Sequence, residues 1–355
     1  MSELNSHSRR WFLSSIIPAA VALELSPAAA AQDHSRRAEE ESSSHQGKGT
    51  ADWMRKARWG VMTHYLADWI AKDTGEEMTV ARWNDLVAHF DVEGLADQIK
   101  STGAGYHLIS IGQNSGYYLS PNATYDRIVG IQPSKCSKRD LVADLYDAHR
   151  RRGIKLMVYL PSGAPAGDAA AVKALGWQAG AYRNNEFQLK WEKVIREWSE
   201  RWGNKVSGWW FDGCYWPNAM YRMSAPNFAS FAAAARAGNQ ESLVAFNPGM
   251  FRRIFSMSPY EDYTAGEIDL PAEVTLNHAE DGIVDGAQLH ILSHLGERWG
   301  MGLPRFSTDQ VVAWCRKLKD QGGVFTWDTP VSADGHISQA FIDQLKAIGH
   351  DNGAA

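Results

Sequence analysis

The chain has 355 residues, a formal net charge of −5, and 44% hydrophobic and 22% charged residues, an ordinary composition for a folded protein. The nearly neutral charge excludes the clustered basic surface that nucleic-acid binding normally needs, so we expect no nucleic-acid partner. Three cysteines are too few for a disulfide framework. No apolar run beyond the N-terminal region reaches the ~18 residues of a membrane span, and none is predicted.

The N-terminal region has the pattern of an export signal. Arg9 and Arg10 precede a mildly apolar stretch, Ile16 to Ala31, which ends in four alanines. Two adjacent arginines before such a stretch are typical of a bacterial twin-arginine signal peptide. The sequence therefore predicts a signal peptide over residues 1–31 and a periplasmic or extracellular location.

The polar stretch over residues 32–50 has the composition of a disordered linker. The folded domain is predicted over residues 51–355, where short apolar runs alternate with helical patterns. This alternation is typical of repeated strand–helix units with a parallel sheet.

Eight apolar runs predict strands, and five segments with helical spacing of apolar residues predict helices. The predicted strands are Trp59–Tyr65, Tyr106–Ile111, Lys155–Leu160, Gly208–Phe211, Leu243–Phe246, Ser258–Tyr263, Gln288–His294 and Val324–Trp327. The predicted helices are Val92–Thr102, Lys138–Arg152, Phe187–Trp202, Ala225–Ala237 and Thr308–Gln321. Eight strands in about 300 residues predict an α/β fold of the (β/α)8 barrel type. A doubly wound open sheet is the alternative, although no glycine-rich phosphate loop follows a strand.

A barrel of this type carries its active site at the carboxyl ends of the strands. The polar residues at those ends are therefore the candidate functional residues. They are His64, Gln113, Asn114, Tyr159, Asp212, Asn247, Glu261, Asp262, Glu267, His290, His294 and Asp328.

Asp212 is the most distinctive of these residues, because it closes a buried aromatic strand and is followed by Gly213. A carboxylate at such a place is costly without a partner or a function, which favours a nucleophile or a metal ligand over the alternative, a helix N-cap. Glycoside hydrolysis requires a second carboxyl group. Glu261, Asp262 and Glu267 are the candidates, and Glu267 follows a glycine on a predicted loop, from which it could swing over a ligand.

Five further stretches occur in the order and spacing of a known family. The chain resembles the α-L-fucosidases of glycoside hydrolase family 29 over about Trp53–Gly349. The stretches that carry the resemblance are Trp53–Tyr65, Lys138–Val142 with Arg152–Tyr159, Trp210–Gly213, Arg298–Met301 and Gly322–Ile337.

The resemblance implies a retaining exo-glycosidase on a (β/α)8 barrel without metal or other cofactor, acting on an oligosaccharide or polysaccharide. It implies that Asp212 is the nucleophile and Glu267 the acid/base, with Glu261 as the second choice. The substrate-binding residues implied, partly through strand-end positions, are His64, Gln113, Asn114, Tyr159, Trp210 and Trp299. The family's C-terminal β-sandwich is not expected, since the chain ends soon after the predicted barrel.

One departure concerns the sugar. The family has a pair of histidines after the second strand, where this chain has Gln113 and Asn114, so a sugar related to fucose is an alternative substrate. A non-catalytic sugar-binding barrel is a second alternative. A metal-dependent hydrolase that uses Asp212, His290 and His294 is a third. The oligomeric state stays open.

Overall fold

The computed structural model describes residues 50–178, 184–215, 223–276 and 279–353. The predicted signal peptide and nearly all of the predicted linker lie outside these residues. Within the described ranges, no helix is long and apolar enough to cross a bilayer.

Eleven strands lie in the described part of the chain. They are β1 (Trp59–Thr63), β2 (Tyr106–Ser110), β3 (Lys155–Pro161), β4 (Gly208–Asp212), β5 (Leu243–Phe246), β6 (Ile283–Val284), β7 (Ala287–Gln288), β8 (His290–His294), β9 (Gly296–Arg298), β10 (Met301–Pro304) and β11 (Val324–Thr329). Seven of them form one curled parallel sheet in the order β5-β4-β3-β2-β1-β11-β8. The other four form two small antiparallel pairs, β6 with β7 and β9 with β10. The fold is therefore α/β, and the parallel order agrees with a TIM-like barrel.

Helices connect most of the parallel strands. They are α1 (Asp52–Ala57), α2 (Ala67–Thr74), α3 (Val80–His89), α4 (Val92–Thr102), α5 (Ala123–Val129), α6 (Leu141–Arg151), α7 (Ala169–Leu175), α8 (Asn185–Trp202), α9 (Phe228–Ala235), α10 (Thr308–Lys319) and α11 (Gln339–Asp351). Side-chain caps explain several starts: Asp91, Asp140 and Ser307 accept hydrogen bonds from backbone N–H groups of the first turns of α4, α6 and α10. The five predicted helices are confirmed, within three residues at each end.

Seven of the eight predicted strands are confirmed, and the strand predicted over Ser258–Tyr263 is wrong. Pro259 has no N–H to donate to a ladder. The carboxylates of Glu261 and Asp262 accept hydrogen bonds from the N–H groups of Phe246 (2.9 Å) and Val244 (2.8 Å) in β5. These side chains therefore occupy donors that a regular neighbouring strand would have used.

The same segment nevertheless lies between the two ends of the sheet. The N–H of Asp262 donates to Val244 of β5 at 2.9 Å, and the N–H of Thr264 donates to Gln288 at 2.9 Å. The N–H of Leu292, in β8, donates to Gly266 at 2.9 Å. An irregular chain segment thus bonds to both β5 and β8, in the position where the sequence predicted the sixth strand.

Side chains alternate between the inside of the curled sheet and the surrounding helices. In β4, Trp210 points inside, where its ring stacks on Tyr159 at 5.3 Å between centroids. Trp209 and Phe211 belong to the cluster between the sheet and the helices. Within the described ranges, eight tryptophans are fully buried in these two cores.

Candidate active site

A pocket of about 140 Å³ opens at the carboxyl ends of the parallel strands. Its lining residues are Met62, His64, Trp69, Gln113, Tyr159, Trp210, Asp212, Glu267, Leu292 and Trp299. Seven of the eight catalytic and substrate-binding residues predicted from the sequence are among them. Asn114 is the exception: its side chain is exposed, and its backbone oxygen accepts a hydrogen bond from Gly167.

Asp212, the last residue of β4, is held by three donors. The Tyr159 hydroxyl donates to its Oδ2 at 2.6 Å. The Asn247 amide and the N–H of Gly213 donate to its Oδ1 at 2.8 and 2.7 Å. The hydroxyl of Tyr159 in turn accepts a hydrogen bond from Gln113. These donors orient both carboxylate oxygens at the pocket wall.

Glu267 lies across from Asp212 and is anchored to the sheet. Gly266 has φ +60°, and a Cβ there would lie 1.9 Å from the backbone oxygen of His290, so glycine is required for this close approach. Glu267 itself forms a bridge with Leu292 of β8. The glycine therefore holds Glu267 against β8. The expectation from the sequence, that this glycine lets Glu267 swing over a ligand, is wrong.

The environment of Glu267 favours its protonated form. Burial and the nearby negative charge of Asp212 raise its pKa to about 7, against the opposing effects of the Asn247 hydrogen bond and the charge of His64. A carboxyl group that keeps its proton near neutral pH beside an oriented carboxylate is the pairing that general acid catalysis uses.

Asn247, directly after β5, connects the two carboxylates. Its amide nitrogen donates to Asp212 Oδ1 at 2.8 Å and to Glu267 Oε2 at 2.6 Å. The two oxygens therefore lie at most 5.4 Å apart, the sum of the two bond lengths. Retaining glycosidases have carboxyl groups roughly 5–5.5 Å apart, whereas inverting enzymes need about 6.5–9.5 Å. The separation of the two carboxylates is short enough for one of them to attack a bound sugar directly.

Glu261, the second candidate acid/base, lies outside the pocket. It is fully buried, and its carboxylate accepts hydrogen bonds from the N–H groups of Phe246 (2.9 Å) and Ser258 (2.9 Å) and from the hydroxyl of Ser256 (2.9 Å). The N–H of Met257 adds a fourth donor at 2.5 Å. Burial raises the pKa of Glu261 to about 7 as well, so position and not pKa separates the two glutamates.

The wall opposite the carboxylates is aromatic. His64 follows β1 and pairs through Nδ1 with the buried Asp328 at 2.7 Å, and its ring lies 5.0 Å from Trp69 and 6.1 Å from Trp299. Asp328 also accepts a hydrogen bond from the N–H of Gly300 at 2.5 Å. With Nδ1 engaged by Asp328, the Nε2 of His64 is the ring nitrogen available to a ligand hydroxyl.

His290 and His294 make other contacts. Both ring nitrogens of His290 are hydrogen-bonded, to the backbone oxygen of Thr264 (2.9 Å) and to the Thr326 hydroxyl (2.7 Å). His294 bonds to the backbone oxygen of Gly296 and to Asp269. Across the described ranges, no group of three or more His, Cys, Asp or Glu side chains is arranged to hold a metal ion. The structure does not bring Asp212 and these histidines together as a ligand set.

Asn247, Asp328 and Trp69 also contribute to the site, although the sequence predicts no role for them in it. Asn247 and Asp328 are among the polar strand-end residues that the sequence names as candidates, but neither is assigned there to catalysis or to substrate binding. Trp69 lies inside α2, where neither strand-end position nor local spacing marks it. Only the packing of α2 against His64 brings it to the pocket.

Comparisons with known proteins show the family of the chain and proteins of similar fold. The sequence profile of the family described as "Alpha-L-fucosidase" matches residues 25–350. No curated protein sequence matches the chain. Among solved structures, the chain is similar to the endo-fucoidan hydrolase P5AFcnA from glycoside hydrolase family 107, with a TM-score of 0.63 at 15% identity, over 83% of this chain and 90% of that one.

Two fucosidase structures are similar in fold. α-L-Fucosidase isoenzyme 1 from Paenibacillus thiaminolyticus has a TM-score of 0.60 at 18% identity, over 84% of this chain and 74% of that one. α-L-Fucosidase AlfC from Lactobacillus casei, in complex with α-L-fucose product, has a TM-score of 0.56 at 15% identity, over 84% and 97%. Because the family profile spans most of its length, the chain belongs to the α-L-fucosidase family of glycoside hydrolases.

Proposed function

We propose that this protein is a retaining glycoside hydrolase that cleaves the glycosidic bond of a fucose or related sugar in a glycan. The observation that carries the proposal is the Asn247 amide, which donates to both Asp212 and Glu267 and limits their facing oxygens to 5.4 Å. Such a separation supports a retaining mechanism over an inverting one, in which a water molecule lies between one carboxylate and the sugar.

In the first step of the proposed reaction, a carboxylate oxygen of Asp212 bonds to the anomeric carbon of the sugar. The glycosidic carbon–oxygen bond breaks, and Glu267 transfers its proton to the leaving oxygen. In the second step, ionised Glu267 takes a proton from water, whose oxygen bonds to the anomeric carbon while the ester to Asp212 breaks. Glu267 regains its proton, so the cycle closes.

The other pocket residues support these steps. Tyr159 orients Asp212 through its hydroxyl, and Asn247 holds the two carboxylates at a fixed separation by donating to both. Trp210 forms part of the floor, and His64, Trp69 and Trp299 provide the aromatic wall on which a sugar ring rests. Gln113 lines the pocket, and its amide donates to the Tyr159 hydroxyl, which in turn donates to Asp212.

The proposed location is outside the cytoplasm, reached through the twin-arginine signal over residues 1–31. Arg9 and Arg10 before an apolar stretch that ends in four alanines support it. Replacing both arginines by lysine and following the protein in periplasmic and cytoplasmic fractions tests this point. Retention of the double variant in the cytoplasm is the expected result.

A panel of 4-nitrophenyl glycosides, including the α-L-fucoside, tests the activity. Asp212→Asn keeps the size of the side chain and its oxygen acceptor, so the fold should survive while turnover falls at least 10³-fold. Asp85→Asn, on the exposed face of α3, is the matched control and should retain full activity. Equal activity of Asp212→Asn and the parent would show that Asp212 is not the nucleophile, and the glycoside that reacts identifies the sugar.

A glycosidase for a different sugar is the second candidate. The observation that favours it is Gln113, which is bound to Tyr159 and replaces one of the family's paired histidines. An amide presents a different set of donors and acceptors to sugar hydroxyls than an imidazole does. Hydrolysis of another glycoside in the panel, with the α-L-fucoside unreactive, would decide for this candidate.

A further inference from the structure

A second and larger cavity adjoins the catalytic pocket. It has a volume of about 350 Å³, compared with about 140 Å³ for the pocket itself. His64 and Trp69 line both cavities, so these two side chains form a shared wall. Neither Asp212 nor Glu267 lines the second cavity.

The order of the strands shows where this cavity lies relative to the carboxylates. His64 follows β1, and two strands, β2 and β3, separate β1 from β4, which ends in Asp212. Glu267 lies in the irregular segment between β5 and β8, where it forms a bridge with Leu292 of β8. Because the sheet is curled, the wall formed by His64 and Trp69 stands across the pocket from the carboxylate pair. The second cavity continues beyond that wall, away from the acid/base.

A glycine brings the two cavities together. Gly300, in the turn between β9 and β10, has φ +57°, and a Cβ there would lie 2.7 Å from the Trp69 ring and 2.8 Å from the Cβ of His64. Only a residue without a side chain allows the turn to pack so closely on the shared wall. The β9–β10 hairpin therefore forms one side of the second cavity, with the exposed Leu303 at its rim.

The lining of the second cavity combines apolar surface with available polar groups. Trp69, Leu303 and Phe341 supply the apolar faces. The carboxylate of Asp73 and the hydroxyl of Ser338 also line it, and neither has a hydrogen-bond partner among the described residues. Apolar faces with a few free polar groups are what a sugar ring with its hydroxyls requires.

We propose that the second cavity binds the glycan unit attached to the cleaved sugar on the side away from the leaving group. The inference rests on the proposed function, because the anomeric carbon must lie between Asp212 and Glu267. In a six-membered sugar ring, C3 and C4 lie across the ring from the anomeric carbon, and they therefore point to His64 and Trp69. A further sugar linked at either position continues into the second cavity, so the enzyme cleaves within a glycan chain.

Filling the cavity tests this proposal. Ser338 is exposed and makes no capping hydrogen bond, so Ser338→Trp places an indole in the cavity with little cost to α11. Gln339→Trp puts the same side chain on the next, exposed residue, outside the cavity lining, and is the matched control. The substrates are 4-nitrophenyl α-L-fucoside, which occupies the catalytic pocket alone, and a tetrasaccharide of α-linked L-fucose labelled at its reducing end.

The parent protein should release di- or trisaccharides from the tetrasaccharide. Ser338→Trp should lower kcat/KM for the tetrasaccharide at least tenfold and change kcat/KM for the aryl fucoside less than twofold, while Gln339→Trp changes neither. Release of single fucose units only, or an equal effect of Ser338→Trp on both substrates, would overturn the proposal.

A binding measurement separates failure of this proposal from failure of the proposed function. If the parent hydrolyses neither substrate, titration calorimetry with the same tetrasaccharide still reports on the cavity. Binding that weakens at least tenfold in Ser338→Trp but not in Gln339→Trp supports the second cavity as a sugar site on its own. Absence of binding to the parent, or equal binding to all three proteins, counts against it.

Discussion

Replacing Glu267 by glutamine should stabilise the folded protein at alkaline pH. Burial and the charge of Asp212 raise the pKa of Glu267 to about 7 from its ordinary 4.5. Between these two values the unfolded chain releases the proton while the folded chain keeps it. Above pH 7 the folded chain also ionises, and it then carries a second negative charge beside Asp212.

The size of this effect follows from the shift in pKa. Each pKa unit corresponds to about 1.4 kcal/mol, so ionised Glu267 lowers the free energy of unfolding by about 3 kcal/mol at pH 8. Below pH 4.5 both states hold the proton and the penalty vanishes. Glutamine has nearly the same shape, can accept the hydrogen bond from Asn247 through its oxygen, and never ionises.

Urea unfolding at pH 4.5 and at pH 8 measures the effect. The difference in unfolding free energy between Glu267→Gln and the parent should rise by about 3 kcal/mol from the lower to the higher pH. Glu241→Gln, an exposed substitution, should change stability by less than about 0.5 kcal/mol at both values. A difference for Glu267→Gln that does not vary with pH would refute the reasoning.

Three further substitutions test individual contacts of the site. Asn247→Ala removes the donor shared by both carboxylates and should lower kcat about 10²–10³-fold with little change in KM, as steady-state kinetics will show; unchanged kcat would remove its positioning role. Tyr159→Phe deletes the hydroxyl that donates to Asp212 and should lower kcat roughly 10- to 100-fold while thermal unfolding stays within a few degrees. Gly300→Ala places a Cβ against the Trp69 ring at positive φ and should cost about 1–2 kcal/mol in urea unfolding, and an unaltered midpoint would contradict the close packing.

The sequence by itself determined the parallel strands and the main helices. β1 to β5, β8 and β11 are buried along nearly their whole length because both faces of the sheet are covered, and their mostly apolar sequences are visible without a structure. The position of Asp212 follows from the same pattern, since a carboxylate that ends an apolar strand must lie at the carboxyl edge of the sheet. The expected strand over Ser258–Tyr263 failed because the side chains of Glu261 and Asp262, and not their backbone alone, bond to β5.

Only the tertiary structure shows which of the two glutamates lines the pocket, and which further residues surround it. Glu261 and Glu267 are six residues apart on one irregular segment. Because this segment is neither a helix nor a strand, no helical or strand periodicity predicts which way their side chains point. Backbone N–H groups surround the first, whereas the close approach of Gly266 to β8 presents the second to the pocket. Trp69 is likewise a helix residue that joins the pocket by packing. These placements depend on contacts between distant parts of the chain, and such contacts leave no periodic signal in the sequence.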